Sequence, residues 1–454
     1  MSPAVTAELA AFAVGPLDPR PAEEVLHAGE RTVANALPLA VAAAELPATR
    51  IALETVAELG NEPEATVLGS GRRLSPQWAA FVNGVAIHVE DFDDTHLETV
   101  IHPGAPVVPA ALAMAERTGC SGLELLEAVL VGVEVALRIG IGVSPSHFDR
   151  GWHLTATTGH FGAAAAAGRL LGLDAAAMAN GLGIVATQAA GLQAALGTMT
   201  KPFHPGKAAA NGVEAALLAA AGFTGPVDGI EGRRGFAEVT CADPDLEAMV
   251  ARLGESWHVT DNAFKPYACG IVSHPAIDAA IALRDAIPDP AAVAEIEVEV
   301  NPVVLDVMGV EDPVDGLQSK FSVYHCVAVG LSDGAAGPDQ YSDARAVDAA
   351  TRELRAKVTV RLDPAIARDE ARIAARTADG SVHRRHVEHA TGSAGRPMSD
   401  AELRAKARLV AAPSLGDRLD DLFDAALGLR RLERAATLAQ LGTVVAAGVE
   451  GVGR

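Results

Sequence analysis

Aromatic residues are scarce in this 454-residue chain: Phe, Trp and Tyr together make up 4% of it. Its core must therefore be filled by Ala, Val, Leu, Ile and Gly, which suits closely packed helices better than a β-sandwich. Cysteines are few and scattered. Cys120, Cys241, Cys269 and Cys326 include no C-x-x-C pair, so neither a disulfide framework nor an iron–sulfur motif is signalled and reduced thiols are expected. No stretch of about 20 residues lacks Gly, Pro and charge, and no basic segment precedes an apolar one at the N-terminus, so the sequence predicts neither a membrane span nor an export signal. The expected compartment is the cytoplasm. Positive charge is also short: 36 Lys and Arg against 58 Asp and Glu give a formal net charge of −22. Such a chain repels polyphosphates and anionic lipid at long range, so no nucleic acid and no membrane is expected as a partner.

What the chain does have is length and helical periodicity. At about 150 residues per domain it predicts two or three domains. Up to about Asn262, Ala/Leu/Val segments alternate with short Gly, Pro or Asp breaks, a helical pattern. Ser75 fits a helix N-cap and Pro76 the first helical position. Trp78, Phe81, Val82, Val85 and Val89 follow at helical spacing, marking a core face. Two runs of small residues, 162–168 and 215–221, predict close approach between helices. The texture changes after Pro266. Segments 294–300 and 356–362 alternate with period two, and Asp379-Gly380 predicts a hairpin between 372–377 and 381–384. With helices expected at 275–286 and 321–331, an α+β unit follows. Ser399-x-x-Glu402 is a capping box that opens a new helix, and helical patterning continues to Val445.

Several clusters carry chemistry. The densest, from His88 through Glu90, Asp91, Asp93, Asp94 and His96 to His102, sits where a helix C-terminus disfavours carboxylates. It fits a solvated acidic loop, a magnesium site on Asp91, Asp93 and Asp94, or a proton-transfer site. His153 precedes a helix of small residues, where an imidazole is biased toward its neutral form; a structural histidine is the plainer alternative. Lys201, His204 and Lys207 also gather at a helix start. Gly206-Lys207 is no phosphate loop, because Ala208 stands where Ser or Thr is required. Pro266 holds Lys265 extended at the change of texture. Lys320, Tyr324 and His325 open a later helix. His383, His386 and His389, three apart on an expected strand, point to alternate faces and read as surface residues.

In order, these motifs are Asp91-Phe92-Asp93-Asp94-Thr95, His102-Pro103-Gly104, Gly151-Trp152-His153-x-Thr155, Thr200-Lys201-Pro202-Phe203-His204, Phe264-Lys265-Pro266-Tyr267-Ala268-Cys269 and Lys320-Phe321-Ser322-Val323-Tyr324-His325. Together they resemble the MmgE/PrpD family, which includes 2-methylcitrate dehydratases, cis-aconitate decarboxylases and iminodisuccinate epimerases. The resemblance implies a mainly α fold: a large all-helical domain built from both chain ends, with residues 1–266 its first part and 398–454 returning to it, plus a smaller α+β lid over 267–397. It also implies a cytoplasmic homodimer that needs no metal or organic cofactor. By the same resemblance Asp91, Thr95, His102, His153, Lys201 and Lys265 line the site, with Tyr324 or His325 contributed by the lid. Two departures stand out. Gly270 occupies the position of a further decarboxylase histidine, and the Thr95–His102 spacing is one residue longer than in the decarboxylase.

The function expected from the resemblance is a lyase or dehydratase, a carbon–oxygen hydro-lyase like 2-methylcitrate dehydratase, acting on a small anionic hydroxy di- or tricarboxylate by removing a proton next to a carboxylate. In that scheme Lys201 and Lys265 meet the developing negative charge, His153 is the base, His102 the acid, and Asp91 orients a histidine or acts as base itself. The alternatives are an epimerase, isomerase or decarboxylase of the same fold and, more distantly, a non-catalytic polycarboxylate-binding protein or a magnesium-dependent helical prenyl-transfer enzyme.

Overall fold

The computed structural model describes residues 3–59 and 62–444. Small residues let the helices of the larger part come close. The Leu154–Leu170 helix is buried along almost its whole length and packs against Gly122–Val143 and Thr200–Ala220. Pro76–Val89, with Ser75 at its N-cap and Pro76 in its first turn, crosses Thr200–Ala220 where Gly84 faces Gly206. A Cβ on Gly84 would lie 2.7 Å from the Gly206 Cα, so this crossing tolerates no larger residue without backbone movement. His88 is one turn beyond Gly84 on the same helix face. The crossing therefore sets His88 and the residues after it near the first turn of Thr200–Ala220, which carries Lys201.

Both ends of the chain share one apolar core, which draws on residues from Val5 to Phe264 and again from Met398 to Ala439. The Glu23–Ala42 helix packs against Asp400–Leu415 and Arg418–Leu427. The Asp400–Leu415 helix starts at the expected capping box: Ser399 Oγ accepts the Glu402 N–H while Glu402 Oε2 accepts the Ser399 N–H at 2.7 Å. The last described helix is Thr437–Leu441; Val445 and the rest of the expected C-terminal segment lie outside the described residues.

A second core is built mainly from the residues between, joined by Leu39 and Phe92 of the helical part. Four strands lie in the order Val358–Leu362, Val293–Val300, Ala371–Thr377, Val382–Val387, the first pair parallel and the others antiparallel. Along Val293–Val300, Ile296, Val298 and Val300 are buried while the glutamates between them are not, the half-exposed alternation expected of this strand. Gly380 supplies the left-handed turn of the hairpin at φ 88°. His274–Leu283 and Val323–Asp333 pack on the sheet. The fold is thus mainly α with a smaller α+β part.

Two short antiparallel ribbons interrupt the helical part, where sequence periodicity predicts only helix: Ala65–Thr66 with Arg73–Leu74, and Asp94–His96 with Asn262–Phe264. Strands of two or three residues are too short to leave a periodic signature. Among the described residues no single helix is long and apolar enough to cross a membrane.

Candidate active site

The second ribbon builds the site. Asp94 pairs with Phe264, so Lys265, the next residue, comes alongside the turn that follows Pro76–Val89. In that turn Asp91 adopts φ 50°, a left-handed conformation that aspartate tolerates better than most residues, and its carboxylate is turned inward. Asp91 Oδ1 accepts from Lys201 Nζ at 2.6 Å and from Lys265 Nζ at 2.9 Å, and Lys265 also donates to the Asp91 carbonyl at 3.0 Å. Asp91 Oδ2 is buried without a donor among the described residues. Burial opposes its ionisation, but the two ammoniums outweigh it and hold the Asp91 carboxyl well below the usual carboxylate range. Burial lowers Lys201 and Asp91 opposes that shift.

Asp93 organises two imidazoles. Its Oδ2 lies 2.7 Å from His88 Nδ1 and its Oδ1 3.2 Å from His102 Nδ1. Burial pushes the Asp93 carboxyl up, but His88 and His102 overcome this and hold it well below its ordinary value. An ionised carboxylate only accepts hydrogen bonds, so His88 carries its proton on Nδ1; the His102 ring lies beside Asp93 Oδ1 as an ion-pair neighbour. His102 Nδ1 is also 3.0 Å from Thr95 Oγ1, and the Thr155 hydroxyl accepts the His102 N–H at 3.0 Å. Nε2 of His102 takes no hydrogen-bond partner among the described residues and lies 4.0 Å from Asp91 Oδ1. Burial lowers the His102 pKa while Asp93 partly restores it; burial drives His88 to about 3. Asp94 turns elsewhere, accepting from Asn262 Nδ2 at 2.6 Å and Gly104 N–H at 3.2 Å, and burial together with Asp93 raises it to about 7.

His153 is the residue before the Leu154–Leu170 helix, and its Nδ1 lies 2.9 Å from Nδ1 of His204. Lys201 and His204 are three apart in the first turns of Thr200–Ala220 and so share a face. Burial lowers both histidines and Lys201 adds to it: His204 falls to about 4 and His153 well below the ordinary imidazole value.

These groups form one wall of a cleft between the helical part and the lid. Asp91, Thr95, His102, His153, Lys201 and Gln193 line it on the helical side; Gly270, Ile271, Val272, Val307 and Phe321 line it on the lid side. The Phe321 ring lies 5.3 Å from Lys201 Nζ. Val100, two residues from His102, has φ 52°, a conformation that costs a β-branched residue on the order of 1–3 kcal/mol and is typical of functional loops. The cleft encloses about 50 Å³, room for one or two waters at ~30 Å³ each. That is well below the ~300–1,000 Å³ usual for ligand pockets.

The structure corrects several expectations. The acidic cluster is no solvated loop, because Asp91, Asp93 and Asp94 are all buried. Nor do those three carboxylates share one magnesium cage, since Asp94 is bound away from the others by Asn262 and Gly104. Ligand atoms of His88, Asp91, Asp93 and His102 do come within 4.8 Å of one another, a spacing open to a divalent ion, but the ammoniums on Asp91 compete for that position. Lys265 belongs to the cluster yet is completely buried behind Asp91 and does not line the cleft; its position suits holding Asp91 rather than meeting charge on a ligand. His325 faces the lid interior, where Nε2 donates to the Gln340 carbonyl at 2.8 Å, and Tyr324 packs at the edge of the lid core. Neither lines the cleft, because the helix opens at Val323 and turns them away, leaving Phe321 as the lid aromatic. Lys320 instead clasps the two parts, donating to Glu90 Oε2 at 2.7 Å and to the Glu90 carbonyl at 3.0 Å. His386 and His389 are exposed surface residues.

Sequence reasoning missed His88, Asp93 and His204 as functional partners, and Lys406, whose ammonium reaches from the C-terminal helix to the Phe92 carbonyl at 2.5 Å and Asn35 Oδ1 at 2.7 Å. Burial lowers Lys406 to about 7. The first three lay inside motifs already singled out; nothing local marked Lys406.

Residues 7–249 match the MmgE/PrpD N-terminal domain and residues 267–428 the MmgE/PrpD C-terminal domain. Human cis-aconitate decarboxylase is 30% identical over 390 residues, covering 81% of this chain and 80% of the human protein. A cis-aconitate decarboxylase from Aspergillus terreus is 30% identical over 406 residues, covering 83% of each chain, and the Mus musculus enzyme is 30% identical over 390 residues, 81% of this chain and 79% of its own. With both domain models matched in order and relatives aligned along four fifths of its length, the chain belongs to the MmgE/PrpD family.

Proposed function

We propose that the chain is a cofactor-independent lyase that removes a proton next to a carboxylate of a small hydroxy di- or tricarboxylate and expels hydroxide from the neighbouring carbon. The observation that carries this is His102: its Nδ1 is held between Asp93 and Thr95 and its free Nε2 belongs to a residue on the cleft wall. A neutral imidazole backed by a carboxylate takes up a proton readily, because the imidazolium that results is paired at once. This assigns the base to His102 rather than to His153, the reverse of the sequence-based expectation. His153 has no carboxylate partner, so it suits the neutral donor that protonates the departing hydroxide. Lys201 meets the charge that develops on the substrate carboxylate. Asp91, held ionised, is a poor base; its unpartnered Oδ2 is an acceptor for the substrate hydroxyl.

A second reading, decarboxylation, is favoured by the relatives, which are named cis-aconitate decarboxylases. Against it stands the lid wall: by the family resemblance Gly270 stands where the decarboxylase carries a histidine, so this wall offers no imidazole at that place, and a Cβ there would require the Met308 side chain, 2.3 Å away at Sδ, to shift. Incubating the protein with a panel of di- and tricarboxylates in deuterated water, followed by proton NMR and carbon dioxide detection, separates these. Dehydration yields a new vinyl signal without carbon dioxide; carbon dioxide release would move the assignment to a carboxy-lyase; exchange without net conversion would indicate an epimerase. No reaction and no exchange with any of them would sink the reading.

A further inference from the structure

His153 and His204 are joined Nδ1 to Nδ1 at 2.9 Å, an arrangement in which a single proton serves both rings. One nitrogen donates and the other accepts, so the tautomer of one imidazole fixes the tautomer of the other. The outer nitrogens differ in surroundings. His153 lines the cleft and its Nε2 takes no protein partner among the described residues. His204 does not line the cleft; 7% of its surface stays exposed, and its Nε2 takes no protein partner among the described residues. The pair thus joins a residue of the cleft wall to one that lies outside that wall and keeps some exposed surface.

We propose that His204 is the positioning partner of a two-imidazole relay that resupplies a proton to His153 from solvent while the lid is closed. In the resting pair His204 Nδ1–H donates to His153 Nδ1, and His153 carries its second-nitrogen proton on Nε2, toward the cleft. As the substrate C–O bond breaks and its electron pair leaves with oxygen, that oxygen takes the Nε2 proton and departs as water. His153 Nδ1 takes the proton of His204 Nδ1, and His204 Nε2 takes one from solvent. Each ring gains one proton and loses one, so neither becomes an imidazolium; both end in the other tautomer, and after product leaves His153 Nε2 takes a proton from water in the cleft, its Nδ1 proton returns to His204 Nδ1 and His204 Nε2 releases one to solvent, which restores the resting pair.

The surroundings require such a route. Among the described residues no carboxylate is bonded to either ring, and the charged side chain acting on both is Lys201, three residues before His204 on the same helix. Burial and Lys201 hold both imidazoles in the neutral form. His102, paired with Asp93, is built to hold a positive charge; the His153–His204 pair is built to avoid one. The backbone fits the pair closely: the Gly191 carbonyl accepts the His153 N–H at 3.0 Å, and a Cβ on Gly191, where φ is 152°, would lie 2.3 Å from Ala156 Cβ and 3.3 Å from His204 Nδ1.

The relay rests on reading His153 as the acid, and the test separates the two. Nitrogen-15 NMR of histidine-labelled protein needs no substrate: His153 is expected as the Nε2–H tautomer and His204 as Nδ1–H. His204→Asn places an amide donor where Nδ1 was, keeping the orientation of His153 while ending proton passage. Its turnover is expected to fall about ten- to hundredfold with KM nearly unchanged, and added imidazole is expected to restore part of the turnover of His204→Ala. Wild-type turnover in His204→Asn, or a His153 proton on Nδ1 in the resting protein, would overturn the relay. If no polycarboxylate reacts, the NMR result still decides whether the shared proton lies as proposed, and only the substrate reading fails.

Discussion

The two walls of the cleft differ in kind. On the helical side two histidines, a lysine and an aspartate face the space, and each is fixed by further buried polar groups. On the lid side Gly270, Ile271, Val272, Val307 and Phe321 offer no titratable group. The difference suits a division of labour under the proposed reaction: the helical wall would move protons and carry charge, while the lid would exclude water and so strengthen those charges. It also explains why the polar groups are so deeply held. A buried charge is tolerated only when paired, and Asp91 and Asp93 have their partners before any substrate arrives.

If this division is right, substitutions on the helical wall cost far more than substitutions on the lid. The largest loss is expected from His102→Ala, with kcat falling by about 10²–10⁴-fold and KM little changed, as steady-state kinetics on the substrate found by NMR would record. Lys201→Ala is expected next, lowering kcat/KM by about 10²–10³-fold through both a higher KM and slower turnover. This variant also leaves Asp91 with Lys265 alone, so its unfolding midpoint is expected to drop.

The pH dependence sharpens the same contrast. His88 at about 3, and His96, His147, His160, His204 and His325 at about 4, sit below the ordinary imidazole value of 6.5, chiefly through burial. Unfolding then takes up protons below pH 6.5, so their contribution to stability is full above that value and is lost as pH falls toward 4. Asp94 and Glu134, raised to about 7 by burial, act in the opposite sense but are outnumbered. The thermal midpoint is expected to decline between pH 6.5 and 4.5, with net proton uptake measurable by calorimetry in buffers of different ionisation enthalpy.

On the lid, Phe321→Leu removes a ring 5.3 Å from Lys201 Nζ, a contact worth about 0.5–1 kcal/mol. A two- to fivefold rise in KM is expected; a collapse of kcat would break the division between the walls. Exhaustive chelation is expected to change nothing, because the protein's own cations already neutralise Asp91. Restoration by a divalent ion after loss would instead assign the His88, Asp91, Asp93 and His102 cluster to a metal.

Much of this was legible in the chain. Small-residue runs marked the Leu154–Leu170 and Thr200–Ala220 helices, Ser75-Pro76 and the spaced apolar residues after it marked the Pro76–Val89 helix, the period-two segments marked the lid strands to within two residues at most ends, and the Ser399–Glu402 box marked the C-terminal helix. Asp91, Thr95, His102, His153 and Lys201 were recognisable because each sits in a local motif at a helix end or turn. Tyr324 and His325 misled for the same reason: a motif gives neighbours, but the direction of a side chain depends on where its helix begins.

The sequence by itself determined the element types, the two textures and the kinds of chemical group available, since these follow from local periodicity, capping and composition. Only the tertiary structure decided which groups act together. The pairing of Asp94–His96 with Asn262–Phe264 brings Lys265 behind Asp91, and the helix crossing at Gly84 and Gly206 brings Lys201 onto the same oxygen. Chain return carries Lys406 to Phe92, and His204 meets His153 across two helices. Each is a contact between distant segments whose partners no local pattern names, and burial then fixes their charge. Whether a histidine is base, donor or scaffold is set by the carboxylate or imidazole at its other nitrogen, and that neighbour is chosen by packing.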